Sequence, residues 1–584
     1  MTGAGGASDA IDQQLARMAE LADRIAGHLP QQTTAPAPPA APAAPAPPAA
    51  PPSAAPAPPA VHGPRVTVSR DSGMVAGPGS AAPDGGPTPQ QAHLADLVER
   101  YTRRTRRSKE AAARHRGVLA DSRAVVGFRS STKEMLYPIA AHRASGAHLE
   151  DVDGNHYVDI TMGFGVLLFG HEPEFVTEAV REHLSRGVRL GPRDPATGEA
   201  AELLADISGL DRVAFACTGT EANAGALRLA RAATGRDTVV VFHSSYHGHA
   251  DSVLGRSAGS GDERVTVPVS PGIPAGAVSD LLVLDYGDPG ALAAIEAAAD
   301  RIAAVVLEPV QSRNPALQPV EFVRSLREVT RRHGIVLMFD EMLTGFRPAL
   351  RGAQELYGVT PDLATYGKVL GGGFPVGAIA GRADIMDGVD GGAWSYGDAS
   401  HPSADTTFFG GTYLQHPVSM TAAAAVLRHL SAEGPGLQQR LNARTDEFAT
   451  TLNTFFEEEE FPLRVRHFGS QFRFEHRADM ELLYHHLMVR GVHVWEWRNF
   501  FLSTAHTDGD IERITDAVRG SLRELRGAGL FARAGAARPV APRPAPAPRP
   551  APAARRRRTP RVAGRTPQYW QLQFCDPGHA GKLV

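Results

Sequence analysis

The sequence predicts an α/β protein: a mostly parallel sheet covered by helices, followed by a smaller α+β domain. Three observations carry this expectation. Between about Gln91 and Gly527, short apolar runs alternate with helical stretches. The runs are apolar at successive residues rather than at alternate ones, as in strands buried on both faces. Beyond about Ala443 the pattern changes to helix mixed with short strands. Strand–helix alternation with two-sided strands implies a parallel sheet between helical layers.

The elements follow in chain order. Residues 1–30 read as a short amphipathic helix, with Ile11, Leu15, Met18, Leu21, Ile25 and Leu29 on one stripe. A lone helix of this length is marginal in water, so the stripe calls for another protein, a second copy or the main domain. Residues 31–90 are dominated by Pro, Ala and Gly and read as an extended linker without a core. The globular part, 91–527, divides into an N-terminal segment and large domain, 91–440, and a small domain, 441–527. Within it "RVAFAC" (212–217), "TVVVF" (238–242), "IAAVVLEPV" (302–310) and "GIVLMFDE" (334–341) read as buried strands. "TEANAGALRLARAA" (220–233) and "VEFVRSLREVTRRHG" (320–334) read as helices. Residues 528–584 form a Pro/Arg-rich tail expected to be disordered, with "RRRR" at 555–558 either solvated or available to a polyanion. No internal repeat is apparent.

Composition narrows the function. A net charge of −3 over 584 residues argues against a nucleic-acid-binding field over the whole surface. Two cysteines, Cys217 and Cys575, make neither a disulfide framework nor a cysteine-rich zinc site. The N-terminus lacks the basic and apolar regions of a secretory signal, and no apolar run is long enough to span a bilayer. The expectation is a cytoplasmic protein with no membrane or nucleic-acid partner.

Four features fall at predicted strand ends, where open α/β sheets place their ligands. In "CTGTEA", Thr218, Gly219 and Thr220 open a helix whose free amides make an anion cradle; plain capping by Thr218 is the simpler alternative. In "SSYHGHAD", Tyr246 offers a ring to a flat ligand. His247 and His249 there lack a third ligand at metal-like spacing, and no metal is expected. In "MFDEMLTGFR", Asp340 ends an apolar strand, which is costly unless the carboxylate is paired with a cation or several donors. A cation there would be either a ligand atom or a structural partner such as Arg347. In "YGKVLGGGFP", Lys368 is one of only four lysines in a chain whose other 56 basic residues are arginine. Arginine cannot be deprotonated in a protein, whereas a lysine amine can act as nucleophile or base. The glycines after Lys368 read either as clearance for a bulky group on the amine or as a flexible loop. Together a phosphate cradle, an aromatic ring, a buried carboxylate and a lone lysine are what pyridoxal 5'-phosphate requires: lysine for the aldehyde, carboxylate for the ring nitrogen.

On "TGTEA", "YHGH", "DEMLTGFR" and "GKVLGGGFPVGA", in that order, residues 91–526 resemble the class III pyridoxal phosphate aminotransferases of fold type I. Within that class the chain looks like glutamate-1-semialdehyde aminotransferases. It looks still more like the aminotransferase domains of hybrid polyketide–nonribosomal peptide synthetases, on "TKEMLYPI", "ITMGFGVLLFGH", "EPVQSRNPALQP", "AWSYGD", "TTFFGGTY", "FEEEEFP" and "FLSTAHTDGDI". No carrier or condensation domain is apparent, so a free-standing version is expected.

The resemblance implies roles. Lys368 would be the Schiff-base lysine and Asp340 the partner of the pyridine nitrogen. Thr218, Gly219 and Thr220 would hold the phosphate, Tyr246 would cover one ring face and Met342 the other, with His247 and Glu308 also at the cofactor. Thr412 would reach the phosphate of a neighbouring subunit, implying a homodimer. Phe164 falls where semialdehyde aminotransferases carry a pocket tryptophan. Arg498 stands where they carry a glutamate, which weakens the case for that reaction. Arg498 and Arg313 would meet a substrate carboxylate or a phosphopantetheine phosphate, or else form ion pairs at a domain interface. The implied reaction moves an amino group from an amino-acid donor to a keto or aldehyde acceptor. That acceptor would be a β-ketoacyl or aldehyde intermediate of a natural-product pathway, carried as a thioester on an acyl carrier protein or synthase. An aminomutase and a non-catalytic scaffold docking on a synthase are the alternatives.

Overall fold

Seven strands form the central sheet: β1 Arg212–Ala216, β2 Thr238–Phe242, β3 Leu281–Leu284, β4 Ile302–Leu307, β5 Val336–Asp340, β6 Leu363–Tyr366 and β7 Gly377–Gly381. Their order is β1-β7-β6-β5-β4-β2-β3. Neighbours from β6 through β3 pair in parallel, while β7 runs antiparallel to both β6 and β1. Every residue of β4 and β5 is buried, as two-sided apolar runs require. The expected strands are shorter at their C-terminal ends: 302–310 stops at Leu307 and 334–341 at Asp340. Those ends are where polar residues begin and the chain turns into loops.

The computed structural model describes residues 86–122, 128–259, 264–476 and 480–531. The expected N-terminal helix, the linker up to residue 85 and the tail from residue 532 lie outside the described residues. Among the described residues, no helix is long and apolar enough to cross a membrane.

Helices cover both sheet faces. Gly219–Thr234 and Val320–His333 agree with expectation to within a residue, each stopped by a left-handed glycine, Gly235 (φ 66°) and Gly334 (φ 60°). After the central sheet come helix Gly436–Glu458, the hairpin Leu463–Phe468/Gln471–His476, and helices Glu481–Val489 and Asp508–Gly527. Phe500–Phe501 extends the hairpin, and Val492–His493 pairs in parallel with His156–Asp159. Helix Gly436–Glu458 runs through residue 440, where the large and small domains were expected to meet.

Helix Pro89–Arg104 begins inside the stretch expected to be linker. Thr88 and Gln91 cap it reciprocally, with Pro89 in its first turn. A polar cluster ties it to the C-terminal helices. Glu524 accepts from Arg100 (2.5 Å) and Arg490 (2.6 Å), and His93 Nε2 lies 3.0 Å from His486 Nε2. Burial holds His486 down to about 3, so its ring is neutral. Neutral stacked rings share a hydrogen bond without repulsion, and the arginines neutralise Glu524.

The topology decides where the site lies. β1, β2, β4 and β5 end on one edge, and Tyr366 of β6 leaves the sheet there as well. β7 starts at that edge against the turn that follows β1. A Cβ on Gly377 would stand 2.3 Å from the carbonyl oxygen of Thr218. Only a residue without a side chain lets β7 and the Thr218 turn approach this closely. Gly377→Ala is expected to destabilise the protein by ~1–3 kcal/mol, as overpacking against backbone does. Denaturant unfolding checks it, and wild-type stability would contradict the close approach.

Candidate active site

The strand ends open into a cavity of about 1600 Å³. Asp340, buried at the end of β5, is held by three donors. Its Oδ2 accepts from Asn223 Nδ2 (2.9 Å) and meets His247 Nδ1 (2.8 Å); its Oδ1 accepts the amide of Met342 (3.1 Å). A carboxylate has about four acceptor positions, so one remains for a cationic donor in the cavity. Asn223 is itself fixed: Thr365 Oγ1 donates to its Oδ1 (2.6 Å), and its Nδ2 also reaches the His247 carbonyl (3.2 Å).

Arg347 does not pair with Asp340, so the structural ion pair considered from sequence is absent. Arg347 is buried and donates instead to Ser470 Oγ (2.8 Å), the Leu502 carbonyl (3.3 Å) and the Gly165 carbonyl (2.7 Å). Its guanidinium carbon stands 4.9 Å from the centre of the Phe501 ring. Burial with no carboxylate partner lowers its proton affinity to about 9.

Lys368 follows β6 and lines the cavity. Its φ is 39°, in the left-handed region that residues with side chains avoid. Burial lowers the proton affinity of its amine; Asp340 and Glu308 oppose that effect, and the Arg347 charge adds to it.

The glycines after Lys368 do not clear space for a ligand. Gly371, Gly372 and Gly373 are not part of the cavity wall. Gly372 has φ +56°, and a Cβ there would meet Val426 at 2.9 Å and Val176 at 3.1 Å. These residues turn the chain tightly under two covering helices. The clearance lies elsewhere: a Cβ on Gly219 or on Gly367 would come within 2.7 Å of Met342 Sδ.

The helix start at 218–220 is partly capped and partly open. Thr218 Oγ1 accepts the Glu221 amide (3.2 Å) and its carbonyl takes the Ala222 amide (3.0 Å), so the capping alternative holds for Thr218. The amides of Gly219 and Thr220 have no partner in the first turn, and both residues line the cavity. Thr220 Oγ1 takes the His249 amide (3.3 Å), linking this turn to the 244–249 loop. That loop is anchored by Glu308, whose Oε2 accepts the Tyr246 amide (3.0 Å) and Oε1 the Ser312 amide (3.2 Å). Burial raises the Glu308 carboxyl above its ordinary range. Tyr246 presents a half-exposed ring to the cavity, and His247 Nε2 is buried without a partner.

Phe164 stands on a left-handed turn. Met162, Gly163, Phe164 and Gly165 have φ of 45°, 59°, 58° and 94°. Two non-glycine residues in this region are strained. The turn is held by Asp159, which accepts the amides of Thr161 (2.8 Å) and Met162 (3.2 Å), and by Arg347 on Gly165. The Phe164 ring meets Trp495 edge-on at 5.4 Å and lines the cavity, as do Arg313 and Arg498. Thr412 is exposed and is not part of its own chain's cavity wall.

The profile of the family described as Aminotransferase class-III matches residues 129–507. The chain belongs to the class-III aminotransferases. It is 35% identical over 418 residues to a glutamate-1-semialdehyde 2,1-aminomutase of Chloroflexus aggregans, covering 66% of this chain and 91% of that protein. An omega-transaminase from Sphaerobacter thermophilus shares the fold with a TM-score of 0.64 and 30% identity over 72% of this chain and 98% of that one. A solved transaminase with PLP bound aligns at TM-score 0.65 and 29% identity, over 73% and 99%.

The residues of this aminotransferase fit pyridoxal phosphate. The open amides of Gly219 and Thr220 suit its phosphate, the spare acceptor position of Asp340 suits a protonated ring nitrogen, and Lys368 suits its aldehyde. Asn223 and Glu341 escaped the sequence reading. Asn223 is a polar residue on an otherwise Ala- and Leu-rich buried helix face, a signal available in "TEANAGALRLAR". Glu341 hid beside Asp340. It is buried, accepts the Thr344 hydroxyl and the amides of Ala353 (3.2 Å) and Gln354 (3.0 Å), and burial pushes its carboxyl up to about 7 from 4.5. The native state therefore binds this proton more tightly than the unfolded chain. Glu341's contribution to stability is full below pH 4.5 and lost as pH rises through 7, by about 1.4 kcal/mol per pH unit inside that window. Glu341→Gln should remove this slope, so unfolding free energies of the two proteins, plotted against pH, should diverge between 4.5 and 7. Parallel curves would place the proton elsewhere.

Proposed function

We propose that the protein transfers an amino group from an amino-acid donor to a keto or aldehyde acceptor, with pyridoxal phosphate as cofactor. The observation that carries this reading is a half-buried lysine with lowered proton affinity in one cavity with Asp340, a carboxylate held by three donors. When bound, the cofactor supplies an aldehyde that carries the amino group and a ring that takes up electrons as a carbon–hydrogen bond breaks. Asp340 would hold a proton on the ring nitrogen, and Asn223, His247 and the Met342 amide keep its carboxylate aimed. Gly219 and Thr220 would hold the phosphate, with Thr412 of a second copy completing it in a homodimer. Tyr246 and Met342 would bound the ring faces. Lys368 Nζ takes the proton leaving the donor's α-carbon and returns one to the acceptor's carbon in the second half. Burial raises the share of neutral amine available for this, and a positioned base is worth ~10²–10⁴-fold in rate.

We infer that the acceptor is a β-ketoacyl or aldehyde intermediate of natural-product assembly, presented on a carrier protein. In support, the cavity exceeds the ~300–1000 Å³ of ordinary small-ligand pockets. Arg313 and Arg498 line it where an anionic arm would pass. Relatives named as aminomutases favour a second reading, an amino shift within one molecule.

Lys368→Ala is expected to abolish turnover, and Asp340→Ala to lose turnover while still retaining cofactor. Cofactor absorbance after addition of single amino acids reads the donor half-reaction, and mass spectrometry of acyl-carrier acceptors reads the second. Wild-type-like transamination by Lys368→Ala would sink the assignment. Product formed without any donor would favour the aminomutase.

A further inference from the structure

The hairpin beside the cavity carries an unusual charge arrangement. In its register Arg466 lies directly opposite Arg473, so both side chains share one face. Both line the cavity. Like charges directly opposite each other destabilise a strand pair. Glu475 Oε2 takes Arg466 Nε at 2.9 Å, but the Arg473 side chain has no hydrogen bond or ion pair with any described residue. The other cavity carboxylates are engaged: Asp285 with Arg264 (3.1 Å), Glu308 with two amides and Asp340 with its three donors.

Arg473 is also firmly placed. Its neighbours Phe472 and Phe474 are buried and pack on Phe500, which pins the strand. Two residues earlier on the same face, Gln471 Nε2 donates to the Ser312 carbonyl (3.4 Å), next to Arg313. Arg473, half-buried, is thus presented to the cavity by a rigid strand. Two arginines against one glutamate leave a single positive charge. That charge, with two planar forks, matches a singly charged oxyanion with two free oxygens.

We propose that Arg466 and Arg473 form an anion subsite that takes a carboxylate or phosphodiester of the acceptor, distinct from its reacting carbonyl. This rests on the transamination reading above and names the class of acceptor: one with a second, monoanionic oxyacid group. A phosphodiester would come from a carrier-bound arm, a carboxylate from a free keto or aldehyde acid.

The test uses holoenzyme, Arg473→Gln and Arg473→Lys. Three aldehyde acceptors of equal length are compared, ending in a carboxylate, a methyl phosphodiester or a neutral methyl ester. Arg473→Gln should raise KM about 10–100-fold for the anionic acceptor that wild type prefers, the range of a lost charge-assisted hydrogen bond. It should leave the neutral acceptor and the donor half-reaction unchanged, and Arg473→Lys should recover part of the loss. Which anionic acceptor wild type prefers identifies the source. Thermal stability of Arg473→Gln should stay level or rise, since a like-charge pair is relieved. An equal KM for all acceptors, or equal loss on the neutral one, overturns the subsite. A wild-type donor half-reaction that fails overturns the transamination reading instead. In that case calorimetric binding of dimethyl phosphate and acetate still decides the subsite: tight binding by wild type and at least tenfold weaker binding by Arg473→Gln supports it, and equal binding overturns it.

Discussion

A negative charge buried at the end of an apolar strand is the constraint around which the site is arranged. Asp340 ends a strand whose every residue is buried, and an unpaired charge in such a place costs several kcal/mol. The protein meets that cost with Asn223 from a helix, His247 from a loop and the Met342 amide from its own turn. The two side-chain donors are fixed in turn: Asn223 by Thr365 of the next strand, the His247 loop by Glu308 and Thr220. One carboxylate therefore locks together the helix that opens the anion cradle, the aromatic loop and the strand that leads to Lys368. Loosening any one of them would leave the charge short of a donor.

Strain is concentrated where the cavity needs particular side chains. Lys368 and Phe164 both sit at positive φ, and neither is glycine. The Phe164 turn is over-determined by Asp159 on its amides and Arg347 on its last carbonyl. Arg347 also binds Ser470 and Leu502, so the Gly165 turn, the turn after β5 and the hairpin Leu463–Phe468/Gln471–His476 with its neighbouring strand meet at one guanidinium. A buried arginine without a carboxylate is expensive, and its use here buys a fixed relation between three segments that sequence separates widely.

Much of this was legible in the sequence, for physical reasons. Two-sided strands show as unbroken apolar runs; Asp340 stands out because a carboxylate is costly at the end of an apolar strand, and Lys368 because lysine is rare in this arginine-rich chain. The 218–220 turn, Tyr246, His247, Glu308, Met342, Phe164, Arg313 and Arg498 all reach the cavity wall. What escaped depends on contacts between distant residues. Asn223 and Asp340 are 117 positions apart, and Arg347 and Gly165 are 182. The glycines after Lys368 were misread because the helices they pack against, carrying Val176 and Val426, are remote in the chain. Arg466 and Arg473 became informative only once the hairpin register set them face to face.

The capped helix Pro89–Arg104 has a consequence for how the chain is made. Some of its partners come last: Arg100 binds Glu524, 424 residues later, and Gln90 binds the carbonyl of Gly529, 439 residues later. Tyr101 packs edge-on against His485 at 5.4 Å. At roughly 5–20 residues per second of synthesis, this helix waits about 20–90 s before those contacts exist. Through that interval Leu94, Leu97 and Tyr101 have no native surface from the C-terminal helices to cover them. The segment that emerges first among these elements is thus only partly secured until synthesis is nearly complete, and until then its apolar stripe stays open to misassociation.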